Sequence, residues 1–291
     1  MNRGTLLCLA SAAAFGMAAV FGKLAFDAGA GVVMLLFVRF GLAALVFWVA
    51  IGVRRALPRA DRRTLVAALA LGAVGYTTQS GLFFAALTRM DASLLSLILY
   101  TYPAFVTVAA IALGRETPSR RRVGALLVAS SGVVLVLAGA GGGGFDVLGA
   151  AMGVGAALTY TGYILISDRV SADLEPLSLS ALVTTGAAVT IGLGGAMTGS
   201  LDAGFEPAGW LWLALIALVS TVGAVAMFFG GMRRVGPSNA AILSTFEPPV
   251  TVALAFITFG EALTLVQLAG AALVLGAVVV LNLRTKPDLA V

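Results

Sequence analysis

The chain alternates between long apolar stretches and short polar connections. Eight stretches contain no Asp, Glu, Lys or Arg. Each has at least 19 residues, close to the roughly 20 that cross a hydrocarbon core. They are residues 4–22, 64–88, 92–114, 123–145, 147–167, 176–201, 207–232 and 262–283. Two further stretches carry one charge each, Arg39 within 28–53 and Glu247 within 235–260. The pattern predicts an all-α integral membrane protein with ten transmembrane helices.

Composition supports a membrane protein and argues against an enzyme. Only 11% of the residues are charged, whereas a soluble domain carries about 25%. The single cysteine, Cys8, excludes an internal disulfide framework. The absence of histidine removes the commonest metal ligand and general base. We therefore expect no cofactor and no metal. An integral-membrane enzyme and a channel are the weaker alternatives, and a signal peptide is the weaker alternative for residues 4–22.

The basic residues predict the orientation in the membrane. If the N-terminus is cytoplasmic and the chain crosses ten times, every Lys and Arg except Lys23, Arg39 and Arg89 lies in a cytoplasmic segment. This bias places both termini in the cytoplasm under the positive-inside rule. We expect a multi-pass protein of a bacterial inner membrane, whose basic residues meet anionic lipid head groups and not nucleic acid.

The two halves of the chain are related. A shift of 145 residues superimposes seven identical residues of the first half on the second. Phe83, Phe84, Arg89, Ser93, Pro103, Ala110 and Glu116 fall on Phe228, Phe229, Arg234, Ser238, Pro248, Ala255 and Glu261. The join is the run Gly141–Gly144, so we predict repeats at residues 1–140 and 145–291. Because each repeat has five spans, the second must enter the membrane upside down. Such inverted-topology repeats are typical of secondary transporters.

Prolines and glycines mark helix interruptions and close contacts. Pro103 lies at mid-span, and Pro248–Pro249 lie at the equivalent point of the second repeat. Proline removes a hydrogen bond to the carbonyl four residues earlier, so the carbonyls of Leu99, Ser244 and Thr245 lose partners. An ordinary proline kink is the alternative, but paired interruptions point to a transport site. Glycine runs such as Gly186–Gly192 and Gly149–Gly155 predict close helix packing.

All five tyrosines lie in mid-span, where a phenol needs a hydrogen-bond partner. They are Tyr76, Tyr100, Tyr102, Tyr160 and Tyr163, and Gln79 shares a helix face with Tyr76. On a regular helix Tyr102 is about 200° from Tyr100, so both cannot line one cavity unless the helix is kinked. We expect the tyrosines to face the bundle interior. Hydrogen bonding between helices, with no substrate, is the alternative.

Two charges lie deep in the predicted spans. A charge at a span centre costs roughly 2.5–3.5 kcal/mol on insertion scales, so Arg39 and Glu247 are paired or functional, and a pair between them is one option. Lys23 and Asp27 have the spacing of a surface ion pair on a helix. Glu116 and Glu261 precede the last span of each repeat, where a carboxylate stabilises a helix start.

With these features, the chain resembles the drug/metabolite transporter superfamily, as two tandem EamA-type repeats. The residues that carry the resemblance are Phe15-Gly16, Lys23, Arg39-Phe40, Ala86-Leu87, Pro103, Gly114-Arg115-Glu116, Glu247-Pro248, Gly260-Glu261 and Gly270. One departure is the apolar pair Ala262-Leu263 after Gly260-Glu261. The tyrosines look most like those of the YddG-type exporters of aromatic amino acids. The resemblance implies a central cavity, lined by spans 1, 3, 4, 6, 8 and 9, that opens alternately to each side.

The expected activity is export of amino acids, aromatic ones above all, and of related small metabolites, by a monomer embedded in the lipid bilayer. We assign substrate binding to Tyr76, Gln79, Tyr100, Tyr102, Tyr160, Tyr163, Thr245 and Phe246. We assign gating or structural roles to Arg39, Pro103, Glu247, Pro248 and Pro249. Export of other metabolites or drugs is the alternative. Because the Glu247-Pro248 motif resembles one shared across the family, we expect facilitated export with weak or no proton coupling.

Overall fold

A computed structural model describes residues 2–55, 57–58, 60–115, 119–139, 146–170 and 174–282. Within these ranges the regular structure is entirely helical. The first half contains α1 (Arg3–Asp27), α2 (Val32–Arg54), α3 (Arg62–Ala70), α4 (Thr77–Leu87), α5 (Ala92–Leu99), α6 (Tyr102–Ala112) and α7 (Arg120–Ala138). The second contains α8 (Val147–Val170), α9 (Pro176–Thr198), α10 (Pro207–Ala217), α11 (Ala224–Val235), α12 (Pro237–Ser244), α13 (Glu247–Phe259) and α14 (Leu265–Asn282). Glu116, the Gly141–Gly144 join and the predicted repeat ends at 1, 140, 145 and 291 lie outside the described residues.

Eight helical segments are long and apolar enough to cross a membrane. Four of them are single helices, and four are formed by consecutive helices such as α3 with α4 and α5 with α6. The apolar parts of α7 and α14, Val123–Ala138 and Leu265–Leu281, are shorter. The structure therefore gives eight candidate spans, and the count of ten stays a prediction.

Two of the spans are broken at positions that the 145-residue shift relates. One helix ends at Leu99 and resumes at Tyr102, and the other ends at Ser244 and resumes at Glu247. Pro103 and Pro248 are each the second residue of the new helix. The first N–H groups of a helix have no intrahelical partner, so proline costs little there. The prolines are consequently tolerated as helix starts, so the structure has the paired interruptions that were predicted and not the ordinary kink that was the alternative.

Two other spans contain a π-helical turn, which the sequence did not predict. Leu71–Tyr76 joins α3 to α4, and Leu218–Gly223 joins α10 to α11. In the second turn the Thr221 hydroxyl donates to the carbonyl of Ile216, 3.0 Å away and five residues earlier. Such turns are rare and occur frequently at functional sites.

Helices of the first half pack directly against helices of the second half. Helix α1 packs against α11, and its counterpart α8 packs against α4. The pairs α2 with α9 and α7 with α14 join equivalent helices of the two halves. A Cβ on Gly192 would lie 2.8 Å from the Phe37 ring, and one on Gly153 would lie 3.0 Å from Leu95. The predicted close packing at these glycines is confirmed.

Candidate functional site

The five tyrosines form one continuous chain of ring contacts through the middle of the bundle. Tyr76 and Tyr163 have ring centroids 5.4 Å apart, and Tyr163 stacks on Tyr160 at 5.9 Å. Tyr160 meets Tyr102 edge-on at 4.7 Å, and Tyr102 meets Tyr100 at 5.8 Å. The chain joins the π turn before α4 to α8 and to both sides of the α5–α6 break. The structure thus brings together every tyrosine assigned to substrate binding.

Tyr102 is in this chain because the helix is broken. On an unbroken helix its side chain would point away from that of Tyr100. Helix α5 ends at Leu99, and the hydroxyl of Thr101 donates to the carbonyl of Ile98 at 2.7 Å. The restart at Tyr102 turns its ring toward Tyr100 and Tyr160. The kink that both tyrosines required is therefore a complete break.

Arg39 lies at one end of the tyrosine chain. Its side chain is on α2 and the residue is only 7% exposed. The guanidinium donates from Nε to the Thr221 hydroxyl at 2.9 Å and from Nη2 to the Tyr76 hydroxyl at 3.2 Å. Its Cζ atom also lies 5.2–5.8 Å from the ring centroids of Phe40, Tyr76 and Phe84, a distance at which a cation and an aromatic face attract.

Glu247 lies at the other end of the chain. The Tyr100 hydroxyl is 2.9 Å from Glu247 Oε2 and 2.5 Å from the Ser244 carbonyl oxygen. The carbonyl that the proline frees in the second repeat is therefore hydrogen-bonded by a tyrosine. Arg39 and Glu247 each bond to other groups, and the ion pairs between described residues do not join them. The ion pair considered between Arg39 and Glu247 is not seen.

The remaining predicted site residues lie beside the chain. Gln79 is buried and accepts a hydrogen bond from Ser80 at 3.1 Å. Thr245 turns its hydroxyl to the carbonyl of Ile242, at 2.7 Å, while the Phe246 side chain is half exposed. Pro248 is buried and Pro249 is exposed. Among the described residues no aromatic pair joins Phe246 to a tyrosine. The assignments of Thr245, Phe246 and the prolines stay predictions.

A second polar centre, the Lys23–Glu261 network, comprises Lys23, Asp91, Ala92, Ser93 and Glu261. The Glu261 carboxylate accepts from Lys23 Nζ at 2.5 Å, from the backbone N–H groups of Ala92 and Ser93 at 3.2 and 2.9 Å, and from the Ser93 hydroxyl at 2.9 Å. Lys23 also lies 3.7 Å from Asp91. The network ties α1 to the start of α5 and to the loop after α13.

The network corrects two predictions. Lys23 pairs with Glu261 and Asp91, and not with Asp27. Glu261 does stabilise a helix start, but that of α5 and not that of its own next helix. Burial raises the pKa of Glu261, but the hydrogen bonds from Lys23 and Ser93 outweigh it and leave that pKa below its ordinary value. Burial and the charge of Glu261 raise the pKa of Asp91 despite the nearby Lys23.

Comparison with known proteins supplies a family and a fold. The family model "EamA-like transporter family" matches residues 2–138 and again residues 147–283. The chain is 25% identical over 276 residues to the uncharacterized transporter YcbK of Bacillus subtilis, with 92% of this chain and 88% of the relative covered. It is 26% identical over 284 residues to an uncharacterized transporter of Archaeoglobus fulgidus, with 96% of each covered. One solved crystal structure has the same fold, with a TM-score of 0.66, 18% identity and 95% of each chain covered.

Proposed function

We propose, from the premise that this chain belongs to the EamA-like transporter family, that it exports aromatic amino acids and related small metabolites. The family and the transporter relatives indicate a multi-pass membrane transporter and not an enzyme. The observation that carries the choice of substrate is the chain of five tyrosine rings between a buried arginine and a glutamate.

The proposed substrate suits the chain of tyrosine rings chemically. Aromatic rings attract one another in stacked and edge-on arrangements, about 0.5–1.5 kcal/mol per pair beyond burial. A ring that slides between tyrosines exchanges one such contact for another, so it is held without being trapped. The Glu247 carboxylate, beside Tyr100, is the group we assign to the substrate ammonium. A substrate with a ring and a cationic group matches both features.

Alternating access is the proposed mechanism. The inverted arrangement of two five-span repeats, ten spans in all, gives two related halves that rock around a central site. The breaks between α5 and α6 and between α12 and α13 give each half a hinge beside the tyrosines. We further propose that a monomer acts in a bacterial inner membrane with both termini in the cytoplasm, as the distribution of Lys and Arg favours.

Removing single tyrosine rings should weaken transport of aromatic amino acids. Tyr76→Ala, Tyr100→Ala and Tyr163→Ala should each lower phenylalanine flux by about tenfold, because each breaks two or more contacts in the site. The measurement is uptake of radiolabelled phenylalanine into proteoliposomes at matched protein content. Trp210→Ala is the matched control, since Trp210 pairs with Phe205 away from the tyrosines. Wild-type flux in all three tyrosine variants would place the substrate elsewhere.

Glu247→Gln tests whether Glu247 carries a proton. Glu247 is the first residue of α13, where a carboxylate favours the helix start, so we propose a structural or ammonium-binding role. The variant should transport more slowly, and neither it nor the wild type should concentrate phenylalanine when only a proton gradient is imposed. The measurement is uptake with and without a pH gradient. Gradient-driven accumulation by the wild type that the variant lacks would make Glu247 the proton carrier.

A further inference from the structure

Arg39 is a buried cation whose charge no carboxylate balances in the described part of the chain. The ion pairs there join Lys23 to Asp91 and Glu261, and Arg89 to Asp146. The guanidinium of Arg39 meets two neutral hydroxyls and three aromatic faces instead. A charge inside a membrane protein that is not paired costs several kcal/mol. A ligand with a negative charge would offset that cost.

The groups around Arg39 offer hydrogen-bond donors and lack a charged acceptor. Arginine has five N–H donors, and the two bonds to Thr221 and Tyr76 use two of them. The Tyr76 oxygen accepts from Arg39, so its own O–H proton is directed elsewhere. Unused hydrogen-bond donors next to a fixed positive charge are typical of a site that binds an anion.

The position of Arg39 also favours a ligand. Its two partners belong to the two π-helical turns, Tyr76 to Leu71–Tyr76 and Thr221 to Leu218–Gly223. Both lie near the middle of their spans, Arg62–Leu87 and Pro207–Val235, the depth at which transporters bind substrate. The rings of Phe40, Tyr76 and Phe84 lie 5.2–5.8 Å from the guanidinium carbon, which favours a compact group as the ligand.

We propose that Arg39 and Tyr76 form a binding site for a compact monoanionic group, and that this group is the carboxylate of the transported molecule. The carboxylate assignment rests on the proposed function. Because the ammonium and the carboxylate of an amino acid are attached to one carbon atom, the substrate meets Arg39 and Glu247, at opposite ends of the tyrosine chain, one after the other and not at the same time. A free halide ion, like a carboxylate, carries one negative charge and accepts hydrogen bonds, so it is the other ligand that could occupy this site. Arg39 then determines specificity: it selects amino acids over the corresponding amines, while the tyrosines accept the ring of either.

Paired substrates test the carboxylate. Phenylalanine and phenethylamine differ by the carboxylate alone, and flux of both is measured in proteoliposomes. Arg39→Gln should lower phenylalanine flux by about tenfold or more, because a charge-assisted hydrogen bond is lost. It should change phenethylamine flux less than about twofold. Arg39→Lys keeps the charge without the planar fork and should keep part of the selectivity. An equal loss for both compounds, in protein that purifies as a folded monodisperse species, would overturn the carboxylate assignment.

A second experiment, which compares two salts, distinguishes a free anion at Arg39 from the carboxylate of the substrate. The melting temperature of the purified protein is compared in sodium chloride and in the sodium salt of morpholinoethanesulfonate, a bulky anion, at equal ionic strength. Stabilisation by chloride that Arg39→Gln abolishes and Arg89→Gln retains would assign the site to a free halide. Arg89 is the control because it is exposed and paired with Asp146. If Arg39→Gln changes neither the stabilisation by chloride nor the preference for phenylalanine over phenethylamine, the proposal of an anion site is overturned. If the wild type transports neither phenylalanine nor phenethylamine, the proposed function fails. The comparison of melting temperatures in the two salts still tests the anion site at Arg39.

Discussion

Gly186→Ala is expected to prevent stable folding, whereas Gly194→Ala on the same helix is expected to be tolerated. A Cβ on Gly186 would overlap the backbone carbonyl oxygen of Leu69 and lie 3.0 Å from the backbone nitrogen of Ala73. Backbone atoms cannot turn aside as a side chain can. Overpacking commonly costs about 1–3 kcal/mol, and occasionally more, so we expect at least about 3 kcal/mol. A Cβ on Gly194 meets nothing within 4 Å, and alanine gains up to about 1 kcal/mol of helix propensity.

The Gly186 contact also positions the candidate site. It presses α9 against the segment where α3 passes into the π turn that ends at Tyr76. Gly72, within that turn, faces the backbone of Val183 in the same way. Melting temperature and yield of the two alanine variants in detergent are the measurements. Wild-type melting of Gly186→Ala would mean that α9 and the π turn are not in backbone contact, and the placement of Tyr76 would then need revision.

The parts of the fold that depend on local sequence could be predicted. The eight candidate spans all overlap stretches that the charge pattern predicted, because a buried charge is costly wherever it falls. The 145-residue shift also brings Pro103 onto Pro248. The π turns were missed. Their sequences, at 71–76 and 218–223, are as apolar as the helices around them. Hydropathy therefore does not distinguish these turns from the helices that they interrupt.

The partners of the charged residues could not be predicted for a different reason. Helix periodicity relates residues three or four apart, and it suggested Asp27 for Lys23. The observed partner, Glu261, is 238 residues away. The sequence likewise placed Arg39 and Glu247 deep in predicted spans, but their bonds to Thr221 and Tyr100 depend on how the halves meet. The tyrosines were predictable as a set because a mid-span phenol needs an interior partner.

Glu261→Ala is expected to destabilise the protein by about 3–5 kcal/mol, the cost of removing one partner of a buried ion pair. The Glu261 side chain is 5% exposed. Without it, Asp91 is the one carboxylate near Lys23 in the described part of the chain, and it is more distant, with a side chain that is 54% exposed. The N–H groups at the start of α5 also lose their acceptor. Asp146→Asn is the matched control. It removes an exposed pair with Arg89, and such pairs contribute at most about 1 kcal/mol.

The dependence on pH separates a charged role of Glu261 from a packing role. The pKa of Glu261 lies below its ordinary value in the folded protein, so its stabilisation is complete above the unfolded pKa, roughly 4.3. That stabilisation is lost as the pH falls through the lower, folded pKa. Glu261→Gln keeps the shape and removes the charge, so its stability deficit should be constant near pH 7 and shrink below about pH 4. Thermal melting of wild type and variant from pH 3 to pH 8 measures the deficit. A deficit that stays constant at every pH would show that Glu261 acts by packing, and that its charge does not hold α1, α5 and the loop after α13 together.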